Sequence, residues 1–434
     1  MNRRGLFAAT LVLALLAPAG HAARATGSSA AIVFEWNQIL QDSFPAQGVG
    51  TVRPFSMTHI AMFDAINSIE RDYEPYRVRL RPATGSPEAA AAQAAHDVLV
   101  VLNPNASATY DAALARQLGS RPSGFVRRGA AVGAAVAREI LAWRQSDGWA
   151  VPVPAPAPYN PPDLPGLWKP TPGVSAATFT HLQKAAPMAL LTSTQFLPPP
   201  PPAIDSARYA ADLNEVKLVG ERNSAARTPE QTTIARLWAG VAPAGSPGTA
   251  TNFLSMLNNV VRSVAEERRL SLVDTARLFT LVNVSIHDAL QTTQTSKFVY
   301  GMWRPVTAIR EADTDLNAAT DPEPAWEPLI GTPPYPSYAG NIATIGASAA
   351  RALQLAFETN DIPVTARWRL SGGQVGEVSH RFSGFWEIAE QAFMARIHSG
   401  IHYRFDQEAG QAIGRSVAEY VFANSMNPRG KWSE

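Results

Sequence analysis

The chain has 434 residues, 46% of them hydrophobic, and its 37 Lys and Arg nearly balance 36 Asp and Glu. This length can bury one large core or two smaller ones, and the charge balance leaves no global field to attract nucleic acid or an anionic membrane, so any anion site must be local. The absence of cysteine excludes disulfides, thiolate metal centres and a cysteine nucleophile.

In chain order, Arg3-Arg4 precedes an apolar run from Leu6 to Pro18, followed by small residues at Ala22, Ala23 and Ala25. This pattern reads as a signal peptide over 1–25, and thus a periplasmic or secreted protein, by general or twin-arginine export. The run is shorter than the roughly 20 apolar residues that cross a bilayer, and no later segment is long and apolar enough, so no span is expected in the mature chain.

An N-terminal region over 26–150 shows helical periodicity. Its apolar faces run through Ile32 to Leu40, His59 to Ile66, the alanine-dense Pro87 to Leu102, and Ala130 to Trp143. His59 and Asp64 lie five apart and do not stack on one helix face, so His59, like His96, reads as a core or interface histidine. From 151 to 205 the period vanishes into the Pro-rich runs Pro152 to Pro165 and Pro198 to Pro202. Prolines fix extended backbone, and Trp168, Phe179 and Phe196 give this stretch something to dock, so it reads as a strap wrapped on the surface, with a flexible linker between two domains as the alternative.

Helical pattern returns over 206–434. Helices are expected at Ser206 to Gly220, after the Thr228-Pro229-Glu230-Gln231 start signal, and at Thr251 to Leu270, Leu272 to Gln294, Asn341 to Glu358, Val378 to Ile397 and Ile401 to Phe422. No useful strand alternation or short repeat is visible. The expected fold class is all-α, built of helical bundles.

Three segments of this last region carry chemistry. In Lys297-Phe298-Val299-Tyr300-Gly301-Met302-Trp303-Arg304-Pro305, glycine and proline end a helix, so two cations can converge at its terminus. Pro333-Pro334-Tyr335-Pro336-Ser337-Tyr338-Ala339-Gly340-Asn341 is a rigid lead into a glycine-opened helix, whose free amides and positive dipole end suit an oxyanion. In Arg396-Ile397-His398-Ser399-Gly400-Ile401-His402-Tyr403-Arg404-Phe405-Asp406, His402 and Asp406 lie four apart. On a helix that spacing lets the carboxylate orient the imidazole. Ser399-Gly400 supplies the break that Arg396 needs to face the same point. His398 and His402 also have zinc-pair spacing, but no third ligand is near. His287-Asp288 falls in the helix leading to Lys297 and reads as structural.

Taken in order, Lys-x6-Arg-Pro, a Gly-opened helix start and Arg-x5-His-x3-Asp resemble the tripartite signature of vanadium-dependent haloperoxidases and type 2 phosphatidic-acid-phosphatase-like acid phosphatases. The flanks Trp303 to Arg310, Gly400 to Asp406, Arg227 to Gln231 and His59 to Ala65 resemble the secreted bacterial haloperoxidase-related branch, so the likeness covers most of the mature chain. It implies a helical-bundle fold around one oxyanion, vanadate or its competitor phosphate. Lys297, Arg304 and Arg396 would neutralise its oxygens and the Gly340 amide would donate to it. His402 would be vanadium's apical ligand, oriented by Asp406, or the nucleophile toward a phosphoester. The partners implied are hydrogen peroxide and a halide or small organic substrate.

The second segment departs from the family's Pro-Ser-Gly-His: Ala339 stands for Ser, and Asn341 for the acid–base His. Asn cannot shuttle a proton, a function typically worth on the order of 10²–10⁴ in rate, and a hydroxyl lost from an oxyanion site costs about 1.5–3 kcal/mol. Ser337 and His398 are the local substitutes by position. The leading expectation is therefore an exported vanadate-binding haloperoxidase-like enzyme with impaired proton transfer at Asn341. The alternatives are a histidine-nucleophile phosphatase and a non-catalytic oxyanion binder. The alanine-rich helices and the strap would suit a homodimer.

Overall fold

A computed structural model of the chain describes residues 29–44, 48–150, 158–239, 253–369 and 377–430. The leader expected over 1–25 and the first prolines of the strap lie outside the described residues. In chain order the helices are α1 (Ala31–Ser43), α2 (Val52–Glu70), α3 (Pro87–Leu102), α4 (Ser107–Leu118), α5 (Gly124–Arg144), α6 (Ala207–Gly220), α7 (Pro229–Ala239), α8 (Phe253–Glu267), α9 (Leu272–Tyr300), α10 (Pro305–Arg310) and α11 (Asn341–Phe357). A hairpin of β1 (Val364–Arg369) and β2 (Glu377–Phe382) precedes α12 (Phe385–His398) and α13 (Arg404–Asn424).

The helix starts follow from local chemistry. The Ser86, Ser123, Ser206 and Ser271 side chains each accept a first-turn amide of α3, α5, α6 and α9. At α7 the Thr228 hydroxyl accepts the Gln231 amide while the Gln231 side chain accepts the Thr228 amide, the reciprocal pair foreseen from Thr-Pro-Glu-Gln. α9 is buried on nearly every face over its 29 residues, which marks it as the central post. α2, α11 and α13 pack around it, and one apolar core runs from Val33 on α1 to Val421 on α13. A second cluster, with Tyr209, Trp303, Trp326 and Tyr403, backs the segment between α9 and α10.

The fold is mostly helical, as expected, with one short antiparallel hairpin outside that expectation: Val364 pairs with Phe382 and Arg369 with Glu377. Consequently α12 does not start at Val378, because 377–382 is a strand and Ser383-Gly384 intervenes. Val364, Ala366 and Phe382 are buried while Arg367 and Arg381 are exposed, a period of two too short to stand out in the sequence. α13 likewise starts at Arg404, not Ile401, because Gly400 takes a left-handed φ of 78° and the chain stays extended to Tyr403.

Residues from 158 onward carry aromatic and backbone contacts to the helical core. Trp168 is buried, its amide donates to the Gly301 carbonyl at 2.7 Å, and the Trp303 amide returns a bond to Gly166 at 2.9 Å. Further along, the Asp288 carboxylate accepts the consecutive amides of Met188, Ala189 and Leu190 at 2.7–2.8 Å. His287 bonds Asp288 through Nδ1 and stacks on Trp149, 4.4 Å between ring centres. In the same manner Asp64 accepts the amides of Tyr76, Arg77 and Val78. Both acidic residues are thus loop anchors. His96 bridges Asp97 and Asp111, which ties α3 to α4.

His59 bonds Asn37 at 3.1 Å and stacks on Phe279 with ring centres 4.8 Å apart, as a core histidine should. Burial pushes its pKa down to about 3. A depressed pKa means that the stability it contributes is complete above the unfolded value of 6.5 and is lost as pH falls from there toward 3. Denaturant titrations of wild type and His59→Gln should show the wild type's advantage shrinking by about 2 kcal/mol between about pH 7.5 and about pH 5. A pH-independent difference would remove His59 from the account.

Candidate functional site

The three cations foreseen in the sequence meet in one place. Lys297 occupies the last turn of α9, which Gly301 closes in the left-handed region at φ 62°. Arg304 caps α10 ahead of Pro305, and Arg396 occupies the last turn of α12. All three are buried, and among the described residues none forms an ion pair. The Lys297 ammonium donates to the Ser337 carbonyl at 2.7 Å and to the Ala339 carbonyl. Arg304 donates through Nε to the Tyr335 carbonyl at 2.8 Å and through Nη1 to the Ile401 carbonyl at 2.9 Å, leaving Nη2 without a partner. Arg396 donates one long bond, 3.3 Å, to the Trp238 carbonyl, and its Nε has none.

His402 stands between cation and anion. Arg304 Nη1 lies 3.1 Å from its Nε2, and Asp406 Oδ2 lies 2.8 Å from its Nδ1. A guanidinium can only donate, so Nε2 is the acceptor and the proton is on Nδ1, held by the carboxylate. Burial, then Arg304, Lys297 and Arg396, hold the imidazole pKa far below its usual value, so the ring is neutral with its Nε2 lone pair turned to Arg304. The pairing of His402 and Asp406 is correct, but not along a helix face. Asp406 sits in the first turn of α13 and reaches back past Tyr403, whose amide it also accepts at 3.2 Å.

Burial also lowers the cations: Lys297 falls well below its ordinary value, with Arg304 the next cause, and Arg304 and Arg396 both fall to about 10. Asp406 is pushed up by burial, against the pull of the Ser337 hydroxyl, Lys297 and Arg304. Three desolvated cations thus face one engaged carboxylate, an arrangement whose charge suits an anion. The unpaired Arg304 Nη2, Arg396 Nε and helix-start amides fit an oxyanion with several acceptors.

Two placements differ from expectation. The Gly340 amide is already engaged, donating to the Asp406 carbonyl at 2.8 Å, so the amides left at the start of α11 are those of Asn341, Ile342 and Ala343. A Cβ at 340 would lie 2.3 Å from Gln407 Nε2 on α13, so a side chain there would have to displace the end of Gln407. Ser337 does not replace the absent serine toward the anion, because its hydroxyl donates to Asp406 and lies 3.3 Å from His402 Nδ1, on the far side of the ring. Asn341 is buried at the start of α11, with Nδ2 3.4 Å from the Tyr335 hydroxyl and Oδ1 unpaired.

His398 is buried, and its carbonyl accepts Arg227 Nη1 at 3.3 Å, while no cluster of three metal-ligating side chains occurs among the described residues. Arg227 is a residue whose part was missed. It also donates to the carbonyls of Val219, Glu221 and Arg222, clamping the end of α6 to the turn after α12. There Gly220 and Gly400 meet backbone to backbone, and a Cβ on Gly220 would lie 2.5 Å from Gly400 Cα. The Arg227-Thr228-Pro229-Glu230-Gln231 run held the signal, without showing what the arginine grips.

A family model described as the VCPO second helical-bundle domain matches residues 277–430, which contain all three segments. Vanadium chloroperoxidase from Curvularia inaequalis is 26% identical over 279 residues, covering 51% of this chain and 44% of that protein, so the match spans less than half of that relative. Among solved structures, one described as the first bacterial vanadium-dependent iodoperoxidase superposes with a TM-score of 0.79 at 23% identity, covering 93% of this chain and 98% of that one. A bacterial vanadium-dependent chloroperoxidase in its holo form superposes with a TM-score of 0.68 at 14% identity, covering 87% of this chain and 92% of that one. No described helix is long and apolar enough to cross a membrane.

Proposed function

We propose that the chain, whose residues 277–430 match the VCPO second helical-bundle model, is an exported, vanadate-binding haloperoxidase-like enzyme that oxidises halide, or a related small substrate, with hydrogen peroxide. The observation that carries this reading is the convergence of buried Lys297, Arg304 and Arg396 around a neutral His402, with Arg304 Nη1 3.1 Å from its Nε2. When bound, vanadate supplies a Lewis-acidic centre that activates peroxide toward halide without a change of oxidation state.

The chain's own residues do the rest. Lys297, Arg304 and Arg396 balance the charge on the anion's oxygens in a site shielded from water, where such contacts are strongest. His402 would hold the anion through Nε2, which here accepts Arg304 Nη1 at 3.1 Å, and Asp406, itself held by Ser337, keeps the proton on Nδ1. Phosphate has the same geometry and charge and competes for the cradle. Asn341 holds a hydrogen bond but moves no proton, and this favours a second reading in which the cradle binds an oxyanion without turnover. A phosphatase using His402 as nucleophile lacks its leaving-group acid at the same position.

The test is halide oxidation by the purified protein with peroxide and bromide or iodide. Turnover should rise to saturation with added orthovanadate, and phosphate should suppress it competitively. Saturable vanadate binding with no turnover would select the non-catalytic reading, and an absence of anion binding would overturn both.

A further inference from the structure

Tyr335 lies in the Pro-rich lead into α11, half-buried, and five contacts fix it at the cradle. Its ring centre is 5.4 Å from the Lys297 ammonium and 5.2 Å from the Arg304 guanidinium carbon. Its carbonyl accepts Arg304 Nε at 2.8 Å, and its ring packs against Phe179 of the strap, 6.4 Å between centres. Its hydroxyl faces Asn341, whose Nδ2 is 3.4 Å away. An amide nitrogen only donates, so the phenol oxygen is the acceptor in that pair and its own O–H remains free to donate.

The residue aligned with the family's hydroxyl donor is Ala339, a methyl group, and Ser337 is turned to the far side of His402. Among the segment's hydroxyl-bearing side chains, the Tyr338 hydroxyl is taken by the Pro199 carbonyl at 2.7 Å. That leaves Tyr335. Resting on the oxyanion reading above, we propose that the Tyr335 hydroxyl is a direct hydrogen-bond donor to the bound oxyanion, and that Asn341 is its positioning residue. This gives the Asn a part that histidine does not need to play: it satisfies the phenol oxygen and turns the O–H into the cradle. The proposal concerns binding only; no proton is transferred in it.

Tyr335→Phe keeps the ring over the two cations and removes only the hydroxyl. Calorimetric titration with orthovanadate should show binding about ten- to hundredfold weaker than wild type, the loss of one hydrogen bond to a charged acceptor. Phosphate, which offers the same oxygens, should weaken similarly, while the thermal midpoint of the anion-free protein stays unchanged. In wild type, orthovanadate should perturb the near-ultraviolet tyrosine spectrum, and the variant should lose that change. If Tyr335→Phe binds both anions as tightly as wild type while a Lys297→Met control has lost them, the donor assignment is overturned and the oxyanion site stands. If wild type binds neither anion, the site reading falls and this inference falls with it.

Discussion

Replacing Arg396 with methionine should abolish orthovanadate binding and, at the same time, make the anion-free protein more stable. The two effects share a cause. Arg396 is a buried guanidinium with one 3.3 Å bond to a carbonyl and an unpaired Nε, and its charge lies close enough to Arg304 for that neighbour to lower its pKa further. Without an anion it is an uncompensated buried charge, and replacing such charges with apolar groups of similar size is typically stabilising by about 1–4 kcal/mol. With an anion it is one of three counter-charges, and loss of a desolvated partner costs on the order of 3–5 kcal/mol, a hundredfold or more in affinity. Calorimetric titration and denaturant midpoints measured on the same preparation check both halves. A variant that binds normally, or that is less stable without anion, would mean that Arg396 faces something other than an oxyanion.

Asn341→His should raise turnover by about 10²-fold or more. Position 341 is the first residue of α11, buried, with its Oδ1 unpaired beside the cradle. An imidazole at a helix N-terminus, with three cations nearby, would stay neutral and able to accept a proton near neutral pH. Steady-state rates against peroxide and halide decide the matter. An unchanged rate in a folded variant that still binds vanadate would show that the missing histidine is not what limits the enzyme.

The sequence made the cradle legible because its residues sit at helix ends, and helix ends are written locally. Gly301 and Pro305 bracket the turn that carries Arg304, Gly400 breaks the chain after Arg396, and the Thr-Pro-Glu-Gln start of α7 is satisfied by its own residues. What stayed hidden depends on partners far along the chain. Arg304 meets His402 across nearly a hundred positions, Arg227 reaches the His398 carbonyl, and the Gly340 amide is claimed by Asp406. No local pattern encodes these choices. The β1–β2 hairpin was missed for the opposite reason: its inward side chains are so few that Val378 onward scans as well for a helix.

The strap gives the cradle a history longer than its own residues. Gly301 and Trp303, on either side of the bend that aims Arg304, are laced to Gly166 and Trp168, while Pro334 accepts the Thr178 amide and Tyr338 grips Pro199. A portable cassette cut from α9 to α13 would inherit every anion-facing side chain and yet leave behind the lacing that aims two of its three segments. Recombination between relatives therefore has a natural cut point upstream of the prolines rather than at the edge of the final bundle. What looks in sequence like filler between two helical halves travels, of necessity, with the site.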